Sequence, residues 1–140
     1  MDIEVTDWDN AKAWVKPIRY QVFVKEQGIP ESLEWDEFDQ NAWHAILKLE
    51  GHAIATGRLI VDGPTAKVGR MAVDAEQRAK GYGRAVLLKL IAWGKEKGVQ
   101  VFILHAQTHA IPFYAKEGFE PHGPIFDEVG MDHVEMRLEL

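Results

Sequence analysis

The 140-residue sequence predicts one α/β domain in which helices cover both faces of a single mixed β-sheet. Three observations favour this fold class. Alternating apolar residues in the middle of the chain predict three consecutive strands joined by tight turns. A strongly helical segment follows them. An almost wholly apolar segment comes next, as expected for a buried central strand. The predicted order of elements is therefore β-α-βββ-α-β-α-ββ.

The N-terminal part begins with a strand and a long helix. Alternation predicts the strand over Met1 to Thr6, and apolar residues at helical spacing predict the helix over Ala11 to Gln27. Pro17 must kink or divide that helix, because proline has no amide hydrogen to donate. The acidic segment ESLEWDEFDQ, residues 31–40, follows and is termed the acidic connector. Its charge is typical of a solvated loop.

The central meander consists of three short strands. AWHAILKLE and HAIATGRLIV form the first two, on either side of a turn at residues 50–51. The sequence Asp-Gly-Pro at residues 62–64 forms the next turn, since these residue types favour tight turns. The third strand covers Ala66 to Val73. Three strands joined this closely predict an antiparallel arrangement.

The C-terminal part alternates helices with strands. A helix is predicted over Gly81 to Lys97, ended by Gly98, and a shorter helix over about His109 to Glu117. The apolar segment VQVFILHA lies between them and forms the buried strand. Two more strands complete the fold, one from Phe119 onward and one in DHVEMRLEL at residues 132–140.

Composition excludes several classes of function. The chain contains no cysteine, which excludes disulfides, zinc–thiolate sites and cysteine nucleophiles. Its formal net charge of −6 disfavours broad nucleic-acid binding. No apolar run is long enough to span a bilayer, and the acidic N-terminus does not resemble a signal peptide, so we expect a cytoplasmic protein without a membrane partner. The six histidines are scattered, and we expect no metal site.

The stretch QRAKGYGRAVLL, residues 77–88, has the properties of an anion-binding turn. Gly81 and Gly83 allow a ligand to approach the backbone closely, and Arg78, Lys80 and Arg84 supply positive charge. Free amides at the start of the following helix attract anions, helped by the helix dipole. A purely structural turn is the alternative interpretation.

Two known phosphate-binding patterns do not fit this turn. A dinucleotide fingerprint requires a third glycine where Val86 stands. A loop of the nucleotide triphosphatase kind requires a Gly-Lys-Ser/Thr sequence, which does not follow. Two interpretations of the turn therefore remain: a pyrophosphate site of another kind, and a turn with a purely structural role.

Residues 68–98 resemble the acyl-CoA-binding core of the GNAT superfamily of acetyltransferases, in which Q/R-x-x-G-x-G/A follows a strand and opens a helix. The segment from Arg78 to Gly83 matches that motif at every fixed position. The sequence F-Y-x-x-x-G-F from Phe113 to Phe119 resembles a later motif of the family. R-x-x-V-F-V-x-E-Q, from Arg19 to Gln27, is similar to the N-terminus of its small single-domain bacterial members. The element order fits the family over nearly the whole chain.

The resemblance implies an acyl-CoA N-acyltransferase fold with a splayed central sheet and acetyl-CoA as co-substrate. It places the pantetheine arm of acetyl-CoA against the backbone of Met71, Ala72 and Val73. The pyrophosphate would lie over Arg78, Ala79, Lys80, Gly81, Tyr82, Gly83 and Arg84. Further contacts to the cofactor are expected from Gln107, Phe113 and Lys116.

The resemblance also implies transfer of the acetyl group to an amine by direct attack. Tyr114 is the expected general acid, because a phenol can protonate the leaving thiolate. The alternative is that Tyr114 only packs against neighbouring aromatic residues. The attacking alkylammonium, with a pKa of about 10.4, must first lose a proton. Candidates for the base are Glu26, His105 and His133, and a water chain is an equal alternative.

The acceptor is expected to be a small cationic amine. Part of the acidic connector would draw it in, and Glu26, Asp36 and His133 are the expected substrate-binding residues. A protein lysine or N-terminus is the alternative acceptor. A CoA-binding sensor without turnover and a structural domain without a ligand are alternatives from other classes. A homodimer is compatible with the resemblance.

Overall fold

The computed structural model describes residues 2–140 and confirms the mixed α/β fold. Its strands are β1 (Ile3–Thr6), β2 (Trp43–Leu49), β3 (His52–Asp62), β4 (Thr65–Val73), β5 (Val101–Gln107), β6 (Glu120–Glu128) and β7 (Met131–Glu139). Its α-helices are α1 (Trp8–Arg19), α2 (Glu31–Glu34), α3 (Tyr82–Glu96) and α4 (Ile111–Ala115). Met1, where the first predicted strand begins, lies outside the described residues. No helix among those residues is both long and apolar enough to cross a membrane.

The strands form one seven-stranded sheet in the order β1-β2-β3-β4-β5-β7-β6. β4 and β5 are parallel, whereas the other neighbouring strands are antiparallel. Ile46 of β2 packs with Ala11 and Val15 of α1. Its neighbours Ala45 and Leu47 belong to the buried cluster that contains α3. Because successive strand residues point to opposite faces, the sheet lies between α1 and α3, as predicted.

The sheet opens between its two parallel strands. Residues Thr65–Val68 of β4 pair with residues Val101–Leu104 of β5. Beyond this point the two strands diverge, although β4 continues to Val73 and β5 to Gln107. The gap leaves backbone amide and carbonyl groups at the end of β4 without a partner in β5. One of them, the carbonyl oxygen of Val73, accepts from Nε of Arg78 over 3.2 Å. The predicted splay of the central sheet is confirmed.

A β-bulge in β4 adjoins the opening. Arg70 and Met71 together occupy the place opposite Gly57 of β3. Arg70 has a φ of 49°, in the left-handed region that residues with a Cβ seldom adopt. A bulge of this kind turns the strand and re-aims its side chains. It directs Arg70 toward the acidic connector, where its guanidinium lies 3.0 Å from a carboxylate oxygen of Asp36.

The first helix differs from its prediction. The α-helical pattern ends at Arg19, and residues Tyr20–Glu26 continue as a π-helix. An interruption of this helix was expected from Pro17, but the change to a π-helix was not. Pro17 lies one turn before the change, and it has no amide hydrogen with which to continue the regular ladder. Phe23 of the π-helical segment and Gln27, which follows it, line a cavity at the opening in the sheet.

The acidic connector also differs from its prediction as a solvated loop. It contains α2 and a 3₁₀ turn at Glu37–Asn41. Two of its carboxylates, Glu34 and Asp39, are only 2% and 3% exposed. Buried carboxylates of this kind require positively charged partners, and arginines from other elements provide them. Toward the C-terminus, α4 is shorter than predicted, because residues Thr108–Ala110 form a 3₁₀ turn before it.

Gly94 of α3 allows the helix to pack closely on β5. A Cβ at this position would lie 2.6 Å from Cε1 and 2.7 Å from Cζ of the fully buried Phe102. We expect Gly94→Ala to lower the free energy of unfolding by about 1–3 kcal/mol, the usual cost of overpacking. Urea unfolding measures this change. Lys95 is the next residue and is exposed. Lys95→Ala should change the free energy of unfolding by less than about 0.5 kcal/mol. Wild-type stability in Gly94→Ala would contradict this packing.

Candidate active site

Two cavities meet where the sheet opens. The first, termed the loop cavity, has a volume of about 480 Å³ and lies between the end of β4, the glycine turn and α4. The second has a volume of about 600 Å³ and lies between the π-helical segment, the acidic connector and strands β4, β5 and β7. Met71 and Tyr114 line both cavities. A group transferred from one cavity to the other would pass these two residues.

The glycine turn lines the loop cavity with backbone. Ala79 and Gly81 have φ values of 62° and 85°, so the chain turns sharply into α3. The first residue of α3 is Tyr82, and no side chain caps the amides of its first turn. Those amides are therefore free for an anion. Gly83 faces Val73 and Phe113, and a Cβ there would lie 3.3 Å and 3.5 Å from their side chains.

The cationic side chains of the turn already have partners. Arg78 donates to both carboxylate oxygens of Glu26, with Nη2 lying 2.8 Å from Oε1. Arg84 Nε lies 2.6 Å from Oε1 of Glu117. Lys80 donates to Gln77 and does not line the loop cavity, unlike the other residues of the predicted pyrophosphate site. Arg78 and Arg84 would reach a bound anion only by sharing or leaving their carboxylates.

The remaining predicted cofactor residues are distributed between the two cavities. Met71, Ala72, Val73 and Phe113 line the loop cavity. Gln107 lies in the second cavity instead, where its Nε2 donates to Oε1 of Gln27 over 3.2 Å. Lys116 is exposed at the end of α4 and lines neither cavity.

Glu26 lies away from both cavity linings. Its hydrogen bond from Arg78 lowers the pKa of its carboxyl group below the usual value. A carboxylate held in this way is a poor proton acceptor. The geometry therefore disfavours the predicted roles of Glu26 as base and as acceptor ligand, and it makes Glu26 the partner of the glycine turn.

The wall of the second cavity contains a group of ion pairs, termed the arginine–carboxylate network. Its members are Arg19, Arg58 and Arg70 together with Glu34, Asp36 and Asp39. Three positive and three negative charges balance. Asp36 lines the cavity as predicted, but its two oxygens lie 2.7 Å from Arg58 and 3.0 Å from Arg70. The carboxylates of the acidic connector that line the cavity are therefore paired with arginines, which disfavours the predicted role of the connector in attracting a cationic amine.

Tyr114 lies at the junction of the two cavities, with its ring between Phe113 and Phe119. The ring centroids are 5.0 Å and 6.0 Å away, respectively. Burial raises the pKa of the Tyr114 phenol to about 12. The hydroxyl group therefore keeps its proton at neutral pH. Its position is compatible with both the predicted acid and the packing alternative.

Sequence reasoning missed Glu128, which lies in the second cavity with two predicted residues, His105 and His133. Nδ1 of His105 lies 2.9 Å from Oε1 of Glu128, and Nε2 of His133 lies 3.6 Å from Oε2. Glu128 belongs to no motif. Strand alternation could have located it. Phe126 of β6 pairs with His133 of β7, and Glu128, two residues after Phe126, points to the same face of the sheet.

Nothing in residues 2–140 groups three or more carboxylate or imidazole side chains as a metal site would require.

Comparisons with known proteins identify a family and a shared fold. A family model described as an acetyltransferase (GNAT) domain matches residues 8–140. The Bacillus subtilis protein YyaT is 36% identical over 126 residues, which cover 88% of this chain and 85% of YyaT. An acyl-CoA N-acyltransferase structure from Pseudomonas aeruginosa has a TM-score of 0.86 at 22% identity, covering 98% of this chain and 99% of that one. A structure of a GNAT family acetyltransferase from Elizabethkingia anophelis with acetyl-CoA bound has a TM-score of 0.75 at 18% identity. The match covers 99% of this chain and 97% of that one. These two structures share the fold.

Proposed function

Because this chain belongs to the GNAT acetyltransferase family, we propose that it is an N-acetyltransferase that moves the acetyl group of acetyl-CoA to a primary amine by direct attack. The observation that carries this proposal is the meeting of two cavities at Met71 and Tyr114. One cavity has the shape and amides for the donor, and the other provides room for an acceptor.

The loop cavity is the proposed site of acetyl-CoA. The diphosphate would bind the uncapped amides at the start of α3, where the helix dipole also favours an anion. The amides of the pantetheine arm would pair with the backbone of Met71 to Val73, which lies beyond the pairing with β5. The relative from Elizabethkingia anophelis has acetyl-CoA bound, which supports the same ligand here.

Arg78 would exchange partners when the diphosphate binds. Its present partner Glu26 and a diphosphate oxygen are both anionic acceptors, and a guanidinium has five N–H groups to offer. Arg78 would therefore share its N–H groups between Glu26 and the diphosphate. Arg84 is placed in the same way beside Glu117.

The reaction proceeds in the proposed mechanism without a covalent enzyme intermediate. The nitrogen lone pair attacks the thioester carbonyl carbon, a C–N bond forms, and the C–S bond breaks with its electron pair left on sulfur. Tyr114 donates its proton to the thiolate. The proton that the nitrogen loses on forming the amide then restores the phenol through solvent. Holding the amine and thioester together accounts for much of the rate, since good orientation is worth about 7–11 kcal/mol.

A small amine is the proposed acceptor. The second cavity has a volume of about 600 Å³, within the range of small-molecule sites, roughly 300–1,000 Å³. A protein lysine or N-terminus would need an open groove for the flanking chain. Release of free thiol from acetyl-CoA in the presence of a panel of amines and lysine peptides tests this proposal. Amine-dependent release supports a transferase, whereas CoA binding without release for any amine would indicate a sensor.

A further inference from the structure

The second cavity contains one carboxylate outside the arginine–carboxylate network, that of Glu128. The cavity's other carboxylates, Glu34 and Asp36, are paired with arginines. The side chain of Glu128 is 43% exposed and faces imidazoles instead. A cationic group that enters the cavity would therefore meet Glu128 as its anionic partner.

Hydrogen-bond geometry fixes how the two histidines face this carboxylate. Nδ1 of His105 lies 2.9 Å from Oε1 of Glu128, and since a carboxylate only accepts, His105 donates. Nδ1 of His133 lies 2.9 Å from the carbonyl oxygen of Met131, and since a carbonyl only accepts, Nδ1 of His133 carries the hydrogen. In the neutral ring of His133, Nε2 is therefore an acceptor.

Nε2 of His133 and Oε2 of Glu128 face each other without a hydrogen bond between them. Nε2 of His133 lies 3.6 Å from Oε2 of Glu128, beyond hydrogen-bond distance. The His133 side chain is only 6% exposed and still lines the cavity. An ammonium between these atoms would donate one N–H group to the carboxylate oxygen and, with the neutral imidazole, another to Nε2.

The mouth of the same cavity is apolar. Leu33, Phe38 and Val129 all line the cavity, and they are 54%, 52% and 42% exposed. Large apolar side chains grouped at one opening are characteristic of a binding surface. Val129 follows Glu128 directly, so the apolar surface adjoins the carboxylate.

We propose that Glu128 and His133 hold the amino group of the acceptor, that Glu128 removes its proton, and that the acceptor is a primary amine on an apolar body. This inference rests on the proposed transferase function. The ammonium proton moves to Oε2 of Glu128, and the neutral nitrogen then attacks the thioester carbonyl carbon. The carboxyl group returns the proton to solvent after the product leaves. His105 is a positioning residue, since it orients the carboxylate through its other oxygen.

A matched pair of amines and a matched pair of variants test the proposal. Hexylamine and 5-amino-1-pentanol differ only in a terminal methyl or hydroxyl group. Glu128→Gln keeps the size of the side chain but removes its charge. Asp127→Asn makes the same change one residue earlier, at an exposed side chain that does not line the cavity. Thiol release gives kcat/KM for each amine, and calorimetry gives the Kd for CoA.

We expect the wild type to prefer hexylamine over 5-amino-1-pentanol by about tenfold, and Phe38→Ser to reduce this preference. Glu128→Gln should lower kcat/KM for hexylamine by about 100-fold, as expected for loss of a general base. Its Kd for CoA should be unchanged, and Asp127→Asn should stay within about twofold in kcat/KM.

The proposal and the transferase function fail in different ways. If Glu128→Gln has a kcat/KM for hexylamine within threefold of the wild-type value, the inference alone is overturned. Equal kcat/KM of the wild type for the two amines also overturns the inference alone. A wild-type chain that acetylates other amines of the panel but not hexylamine also overturns the inference alone. A wild-type chain that binds CoA and acetylates no amine of the panel overturns the transferase proposal, and the inference with it.

Discussion

Tyr114→Phe is expected to lower kcat for acetyl transfer by about 100- to 1,000-fold, in the range that general acids contribute. The substitution removes only the hydroxyl group, and the ring stays between Phe113 and Phe119. The released thiolate then has no donor at the junction of the cavities and must be protonated by solvent. Steady-state thiol release at saturating acetyl-CoA measures the effect.

The Kd for CoA should change by less than about threefold in this variant, because the hydroxyl group acts on the leaving sulfur alone. Burial raises the pKa of Tyr114 to about 12. The acid form is therefore complete at neutral pH, and turnover should not decline through ionisation of Tyr114 until the pH approaches that value. Unchanged turnover in Tyr114→Phe would leave Tyr114 with a packing role only.

Arg19→Met is expected to lower the free energy of unfolding by about 3–5 kcal/mol, the usual cost of removing one partner from a buried ion pair. Arg19 is 1% exposed, and its guanidinium lies 2.7 Å from Glu34 and 2.8 Å from Asp39. Methionine fills most of the volume but leaves two buried carboxylates short of a donor. Urea unfolding at neutral pH measures the loss.

A surface pair provides the matched control. Lys12 lies 3.8 Å from Asp9, and both side chains are at least half exposed. Lys12→Met makes the corresponding change there and should cost less than about 1 kcal/mol, since exposed ion pairs contribute little. Equal losses in Lys12→Met and Arg19→Met would show that burial does not decide the cost.

Asp39 makes one contribution to the pH dependence of stability. Burial acts to raise the pKa of its carboxyl group, but hydrogen bonds and charge from Arg19, and then from Arg58, outweigh burial and hold the pKa below its usual value. The group is more acidic in the folded than in the unfolded chain. Its stabilisation is therefore complete above the unfolded pKa of about 3.9 and is lost as the pH falls through the folded pKa.

Much of the fold was predictable because its signals are local. Alternation located the three strands of the meander, and turn residues separated them. The glycine turn was predictable because the spacing of Gly81 and Gly83 before an apolar helix is a property of a few adjacent residues. The π-helix was not, because Pro17 indicates an interruption without indicating which hydrogen-bond pattern replaces the regular one.

The second cavity was less predictable because its residues come from distant parts of the chain. Asp39 lies 20 residues beyond Arg19, and nothing local indicates that β3 and β4 bring two further arginines to the same place. The charge of the acidic connector therefore predicted a solvated loop, whereas the fold buries two of its carboxylates, Glu34 and Asp39. Glu128 was missed for the same reason, since its partners His105 and His133 lie on other strands.

Calorimetric titration of the wild type and Gly83→Val with CoA tests most directly whether the turn at the start of α3 binds the donor. Valine would press on Val73 and Phe113, which already lie 3.3 Å and 3.5 Å from a Cβ at position 83. Lys89→Val introduces the same side chain at an exposed position of α3. We predict saturable binding to the wild type and to Lys89→Val, and a Kd at least about tenfold weaker for Gly83→Val, or ~1.4 kcal/mol. Absence of binding to the wild type, or equal affinity in a folded Gly83→Val, would contradict this account.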